Sequence, residues 1–268
     1  MLPDAQADIY HETQTFNQIY TLMKKLLLMA CAAMLSLGAA AQNVQFHYDF
    51  GHNLYKDLKK TSESDGRAPI TTTVEMFRGD TWGSTYFFID LDYNAGMKGA
   101  YWEISREICF WQESKLGWLS AHVEYDGGLS DAAGSFNNAW LVGPTYSGHS
   151  KDFTKTWSVS VMYKYIPKTY NTAGKKQTSN FQLTGVWGID FAKGWCTFSG
   201  FIDFWREWRP WQNTSHILLS EPQFWVNLHK IRGWDNVHLS VGGEVELSNN
   251  FVSKGFYAIP TVAAKWTF

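Results

Sequence analysis

The stretch Trp157-Ser158-Val159-Ser160-Val161-Met162-Tyr163-Lys164-Tyr165 decides the fold class. Trp157, Val159, Val161, Tyr163 and Tyr165 fall on one face of an extended chain, while Ser158, Ser160 and Lys164 fall on the other. Successive side chains of a strand point to opposite sides, so this period of two argues a strand with one apolar and one polar face. The same beat runs through Leu119, Ala121, Val123 and Tyr125, which alternate with Ser120, His122 and Glu124. It returns at Val237, Leu239, Val241, Val245 and Leu247 against His238, Ser240, Glu244 and Glu246. Beyond residue 42 no helical period persists. Twelve strands are predicted, at 44–50, 70–79, 82–93, 99–110, 117–126, 136–147, 155–166, 178–190, 195–205, 216–228, 236–247 and 256–268.

Most of these segments reach ten residues, longer than the ~5–6 usual in soluble sheets and close to the ~9–11 that a tilted strand needs to cross a bilayer. The connections near 51–69, 127–135, 167–177 and 206–215 read as long, and those near 80–81, 148–154, 191–194 and 229–235 as shorter. Such asymmetry is the outer-membrane pattern. The expected fold is therefore an all-β, transmembrane, antiparallel up-and-down β-barrel of about twelve strands, filling one domain at 42–268 with both ends on the periplasmic side. A soluble sandwich is the competing architecture, and it explains neither strand length nor loop asymmetry.

Composition agrees. Aromatic residues make up 17% of the 268 residues and charged residues only 18%. Disordered chains lack aromatics on that scale. A mean hydropathy of -0.28 and a single long apolar run argue against a helical membrane protein. The net charge of -2 gives no basis for a nucleic-acid partner. Three cysteines form neither a disulfide framework nor a metal-binding pattern, and no metal spacing, phosphate loop or cofactor fingerprint occurs, so no cofactor is expected.

At the N-terminus, Met23-Lys24-Lys25 precedes the apolar run Leu26–Gly38 and then Ala39-Ala40-Ala41. A basic start, an apolar centre and small residues at the end are the parts of a secretory signal peptide. Residues 23–41 are read as that peptide, with cleavage after Ala41. Residues 1–22 are read as an extension upstream of the true start. Leu28-Met29-Ala30-Cys31 resembles a lipobox and gives a second, lower-ranked processing site.

The apolar faces, with Phe87, Ile89 and Leu91, then Phe198, Ile202 and Phe204, and then Phe224, Val226 and Leu228, are assigned to lipid. Alternation also puts Arg106 on that face. A mid-bilayer arginine costs about 2–4 kcal/mol, so a bulge turning it inward is expected. The inward faces carry many acids and few bases, chiefly Lys164 and Lys265. Unpaired carboxylates in a dry interior are costly, so a wet, narrow lumen follows. Carboxylates and aromatics mix there. The candidate ligand-contacting residues are Glu75 with Phe77, Tyr86 and Phe88 with Asp90 and Asp92, Asp203 with Trp205, and Glu221 and Gln223 with Trp225.

An enzyme would need a nucleophile and base within reach. His47 with Asp49, and His122 with Glu124 and the nearby Ser120, are the nearest such sets. Lone wall histidines are more often structural, and the chain is read as a non-enzyme.

Several segments resemble the Tsx-like nucleoside-channel superfamily of Gram-negative outer membranes, in particular its porin-like branch. They are Thr73–Phe77, Trp82–Tyr93, Trp140–Pro144, Gly200–Trp205, His216–Gln223 and the closing Lys265-Trp266-Thr267-Phe268. The resemblance spans most of 42–268. It implies a twelve-stranded barrel that passes nucleosides or similar neutral ring compounds through aromatic and ionisable lumen contacts. A terminal strand ending on Phe268 resembles the signal read by the barrel-assembly machinery. The expected partners are thus a small solute, outer-membrane lipid and that machinery. The alternative is a non-conducting barrel with a structural or surface-interaction role.

Overall fold

A computed structural model describes residues 41–59, 66–94, 96–131, 134–171 and 173–268. Apart from Ala41, the expected extension at 1–22, the leader at 23–41 and Cys31 lie outside the described residues.

Thirteen strand segments follow one another: β1 (Ala41–Asp49), β2 (Ile70–Asp80), β3 (Gly83–Tyr93), β4 (Met97–Ile108), β5 (Leu119–Ser130), β6 (Gly134–His149), β7 (Lys155–Tyr165), β8 (Ser179–Phe191), β9 (Cys196–Arg209), β10 (Thr214–Ser220), β11 (Gln223–Asn227), β12 (Leu239–Asn249) and β13 (Phe256–Thr267). Their pairing is antiparallel throughout, and β1 also pairs with β13, so the sheet closes on itself and has no edge.

The expected strand 216–228 is split in two, yet it remains one stave of the barrel. Both β10 and β11 lie between β9 and β12. The pairs Ser220↔Ile202 and Gln223↔Ser199 keep one register across the break, as do Ser220↔Leu247 and Gln223↔Glu244. Pro222 interrupts the ladder because it has no N–H to donate. The backbone groups around it are still paired. Glu221 N donates to Phe201 O at 3.1 Å, and Val245 N donates to Pro222 O at 3.1 Å. Gly200, with φ +152°, makes the fit possible, since a Cβ there would sit 2.5 Å from the Glu221 carbonyl oxygen. The barrel therefore has the twelve staves expected.

The outer face is apolar and open. Phe46 on β1 is 58% exposed, while the next residue, His47, is 4% exposed. Val159, Val161 and Tyr163 on β7 repeat the pattern, with Ser160, Met162 and Lys164 buried between them. Exposed apolar side chains around a polar interior reverse the order of a soluble protein and fit a barrel solvated by lipid. Aromatic pairs line the outer face, Trp118–Tyr146 and Tyr146–Trp157 at 4.9 Å towards the end of the barrel that holds residues 41 and 267, and Tyr125–Trp140 at 4.8 Å in mid-strand.

Two expectations are corrected. Arg106 does not turn inward through a bulge. The β3–β4 ladder is regular from Gly83 to Asp92, and Arg106 stands opposite Thr85 and Val123 on the outer face. It lies two residues from the end of β4, where its guanidinium bonds both oxygens of Asp80 at 2.7 and 2.8 Å and Thr85 Oγ1 at 3.0 Å. At interfacial depth an arginine costs only about 0–1 kcal/mol, so no bulge is needed. The loop asymmetry is also weaker than read. The connections 109–118 and 228–238 are long but lie on the same end as residues 41 and 267 (the near end). On the opposite, far end, 131–133 and 210–213 are short. The strands extend into segments such as Asp126–Ser130, whose glycines and polar residues look like loop but pair in the ladder.

Candidate functional site

Alternation aims every second side chain at the barrel axis, and these line one cavity of about 2610 Å³. Its lining runs from Thr81, Gly117 and Trp118 at the near end to Arg67 and Phe251 at the far end, so it extends along the whole barrel. Of the sequence-predicted residues, Glu75, Phe77, Tyr86, Phe88, Asp90, Asp92, Asp203, Trp205, Glu221 and Gln223 line this cavity. Trp225 does not. It is fully buried beneath Lys265, whose ammonium lies 4.2 Å from its ring centroid, and the His47 ring meets it edge-on at 6.1 Å.

At mid-depth the carboxylates are held by neutral donors. Asn43 donates to Glu75 at 2.8 Å and Thr73 to Asp90 at 2.5 Å, and closer to the far end Thr71 donates to Asp92 at 2.6 Å. Tyr101 donates to Glu103 at 2.6 Å, and Gln223 to Glu244 at 3.0 Å. Each of these donors is uncharged and brings no cation to its carboxylate. Beside them, Tyr86, Phe88 and Tyr101 form a ladder of rings with centroids 6.1 and 5.9 Å apart. This puts flat apolar surface next to hydrogen-bond acceptors.

Nearer the far end the acids meet bases instead. Arg67, in the β1–β2 connection, bonds Asp49 at 2.6 Å and Glu246 at 2.7 Å. Burial works against the charge on Arg67, but Glu246 and Asp49 outweigh it and lift its pKa above the ordinary arginine value. Lys164 reaches back to the level of Glu103, where it bonds Asp126 at 3.1 Å and Gln182 at 2.7 Å, with Trp205 beneath it at 5.0 Å. Arg209 lies 3.6 Å from Glu207, donates to the backbone oxygen of Asn250 at 3.2 Å, and sits 5.6 Å from the Phe251 ring centroid. In the same region Leu58 packs with Tyr257 and Ile259, so part of the β1–β2 connection lies against the barrel's inner wall.

Of the pairs weighed from sequence, His122–Glu124 comes together and His47–Asp49 does not. His47 bonds Gln45 at 2.9 Å and Thr261 at 3.1 Å rather than Asp49. His122 is held between Glu107 at 2.6 Å and Glu124 at 3.2 Å, while the Ser120 hydroxyl donates to Glu107 and not to the imidazole. Two interior bases were missed from sequence. Arg209 continues the inward series Asp203, Trp205, Glu207, and carrying the alternation two steps further finds it. Arg67 sits in an irregular connection, where no period marks its direction.

The family model for a domain of unknown function, DUF5020, matches residues 41–268. The chain belongs to that family. No curated protein matches this DUF5020 chain. Among solved structures it is similar to the NanC porin at 10% identity and a TM-score of 0.54, with 85% of this chain and 100% of that chain covered. It is also similar to a BenF-like porin from Pseudomonas fluorescens Pf-5 (8% identity, TM-score 0.41, 87% and 64% covered). LpxR from Salmonella typhimurium gives 9% identity and a TM-score of 0.42, with 85% and 100% covered. The NanC likeness shows the barrel fold of the DUF5020 chain and does not reach the narrower Tsx-like group.

Proposed function

We propose that this protein is an outer-membrane channel through which small solutes diffuse passively, with a preference for cations and for neutral ring compounds such as nucleosides. The observation that carries the reading is the mid-depth set of carboxylates held by neutral donors beside the Tyr86–Phe88–Tyr101 rings, along a cavity that runs the length of the barrel. Rings of carboxylates favour cations in a pore. A nucleoside offers a base that stacks on aromatics, worth about 1–3 kcal/mol per contact by analogy with single-stranded nucleic acids, and sugar hydroxyls that donate to carboxylates. Phosphates would be repelled, so nucleotides are excluded. Export by the leader at 23–41 and assembly through the strand ending at Phe268 complete this reading.

The test is current through single barrels in a planar bilayer. A salt gradient should give a reversal potential favouring cations, and millimolar nucleoside should block the current. Phe88→Ala should weaken that block. An anion-favouring potential overturns the charge reading. Unblocked current overturns the nucleoside reading and leaves a general small-solute pore. A second reading, a non-conducting barrel, is favoured by the packing of Leu58 against Tyr257 and Ile259 inside the far end. Absence of any conductance in correctly folded protein would select it.

A further inference from the structure

Three carboxylates converge on the lumen wall. Glu103 of β4 stands opposite Asp126 of β5, and Glu124 lies two residues away on the same inward face. One oxygen from each lies within 4.8 Å of the other two. The wall already engages each group once: Tyr101 donates to Glu103 at 2.6 Å, His122 Nε2 is 3.2 Å from Glu124, and Lys164 is 3.1 Å from Asp126 Oδ2. A separate feature points to a missing occupant. Asp126 is only 2% exposed, and its Oδ1 is buried with no hydrogen-bond partner. A buried anionic oxygen left unpaired is costly, and Lys164 compensates only its sibling.

We propose that Glu103, Glu124 and Asp126 form a binding site for a calcium ion in the lumen wall. Oxygen-only ligands suit a hard divalent cation. Calcium accepts ligands at about 2.3–2.6 Å in flexible geometry, so two oxygens on one ion can stand nearly 5 Å apart. Magnesium holds its ligands at about 2.0–2.1 Å in near-ideal octahedra and dehydrates reluctantly, so the same triad must contract around it. Lumen water supplies the remaining calcium ligands. Three carboxylates meet two basic groups here, the ammonium of Lys164 and the imidazole of His122, which is shared with Glu107, so acids outnumber bases at this point. The site goes beyond the channel reading and holds whether or not the barrel conducts nucleosides.

The experiment uses the full barrel folded in detergent, stripped with chelator and dialysed to equilibrium against calcium chloride or magnesium chloride. Wild type should take up one calcium per barrel and prefer calcium to magnesium at least ten-fold. Asp126→Asn and Glu103→Gln should each weaken calcium binding at least ten-fold, while Asp152→Asn, in an exposed turn, should not change it. A folded-versus-boiled gel shift confirms that each variant is assembled, and if Asp126→Asn fails to fold, Glu103→Gln alone decides. No stoichiometric calcium, equal magnesium binding, or unweakened binding by a folded variant overturns the proposal. Conductance that persists in any of those cases leaves the channel reading intact.

Discussion

The middle of the lumen and its far end use the same acidic side chains in opposite ways. At the far end Asp49, Glu246 and Glu207 each face a base, and Arg67 ties two of them to the β1–β2 connection. At mid-depth Glu75, Asp90 and Glu244 take hydrogen bonds from Asn43, Thr73 and Gln223, which orient them without cancelling their charge. A carboxylate paired with a base contributes to holding the wall together. A carboxylate held by a neutral donor has no base beside it and is left to interact with whatever enters the water. The contrast teaches that counting acids in a pore is insufficient, because the donor on each acid decides whether it acts on the fold or on the solute.

The largest expected effect tests what holds the middle in place. Gly200→Ala drives a Cβ to 2.5 Å from the Glu221 carbonyl oxygen at a backbone angle that favours glycine. The cost should be roughly 2–5 kcal/mol from strain and overpacking together. It is read as a lowered temperature for loss of the compact band on unboiled gels. Next, Glu75, Glu221 and Glu244 changed together to Gln should bring the cation-to-anion permeability ratio down several-fold, towards unity. In wild type, added salt should weaken the preference, since charges lining a wet pore are screened. A ratio unchanged by the triple substitution would erase the distinction between the two regions.

At the far end the readout should be stability instead. Arg67→Gln strands Asp49 and Glu246, and with the arginine side chain 30% exposed the loss should be about 1–3 kcal/mol, discounted for solvent screening. Because the pKa of Arg67 is raised, its contribution is present at every pH below the ordinary arginine value and is not lost in mild alkali. A pH series of unfolding temperatures from neutral to about pH 10 should therefore show no step that vanishes in Arg67→Gln. The smallest effect belongs to the outer face. Arg106→Gln removes a pair with the exposed Asp80, and the unfolding temperature should stay within measurement scatter. A large drop there would place Arg106 deeper in the bilayer than its position near the end of β4 indicates.

The barrel was legible because its signal is local and repeated. Trp157–Tyr165 alternates with a single exception, the inward Met162, and one buried and one lipid-facing side fix the register of such a strand. The ends of strands were less legible. Gly127, Gly128 and Gly134 carry turn chemistry in the sequence, yet Gly128 pairs with Phe136 and Gly134 with Ser130 in the ladder. The interruption at Glu221-Pro222 was hidden because the register on both sides is the same, so the inward series Leu219, Glu221, Gln223 reads as continuous. For the lumen, parity identified which faces point inward but not how deeply each side chain lies. Trp225 has the right parity and is sealed by Lys265 and His47, which belong to β13 and β1 and are far away in sequence. Burial of that kind depends on which strands become neighbours when the sheet closes.

The Arg106–Asp80 pair also sets a waterline. Its charges belong at headgroup depth, so the hydrocarbon slab begins just above them. From Arg106 to Lys98, whose ammonium pairs with Asp131 at 3.0 Å, β4 rises eight residues, which at about 3.3 Å per residue and a tilt near 40° is a height of about 20 Å. An apolar band of that size is somewhat below the ~25 Å of outer-membrane barrels and thinner than an average ~30 Å hydrocarbon core. The protein is thus dimensioned for a thin membrane. In a thicker one, hydrophobic mismatch would draw lipid down towards the Arg106 level or tilt the barrel until the slab fits.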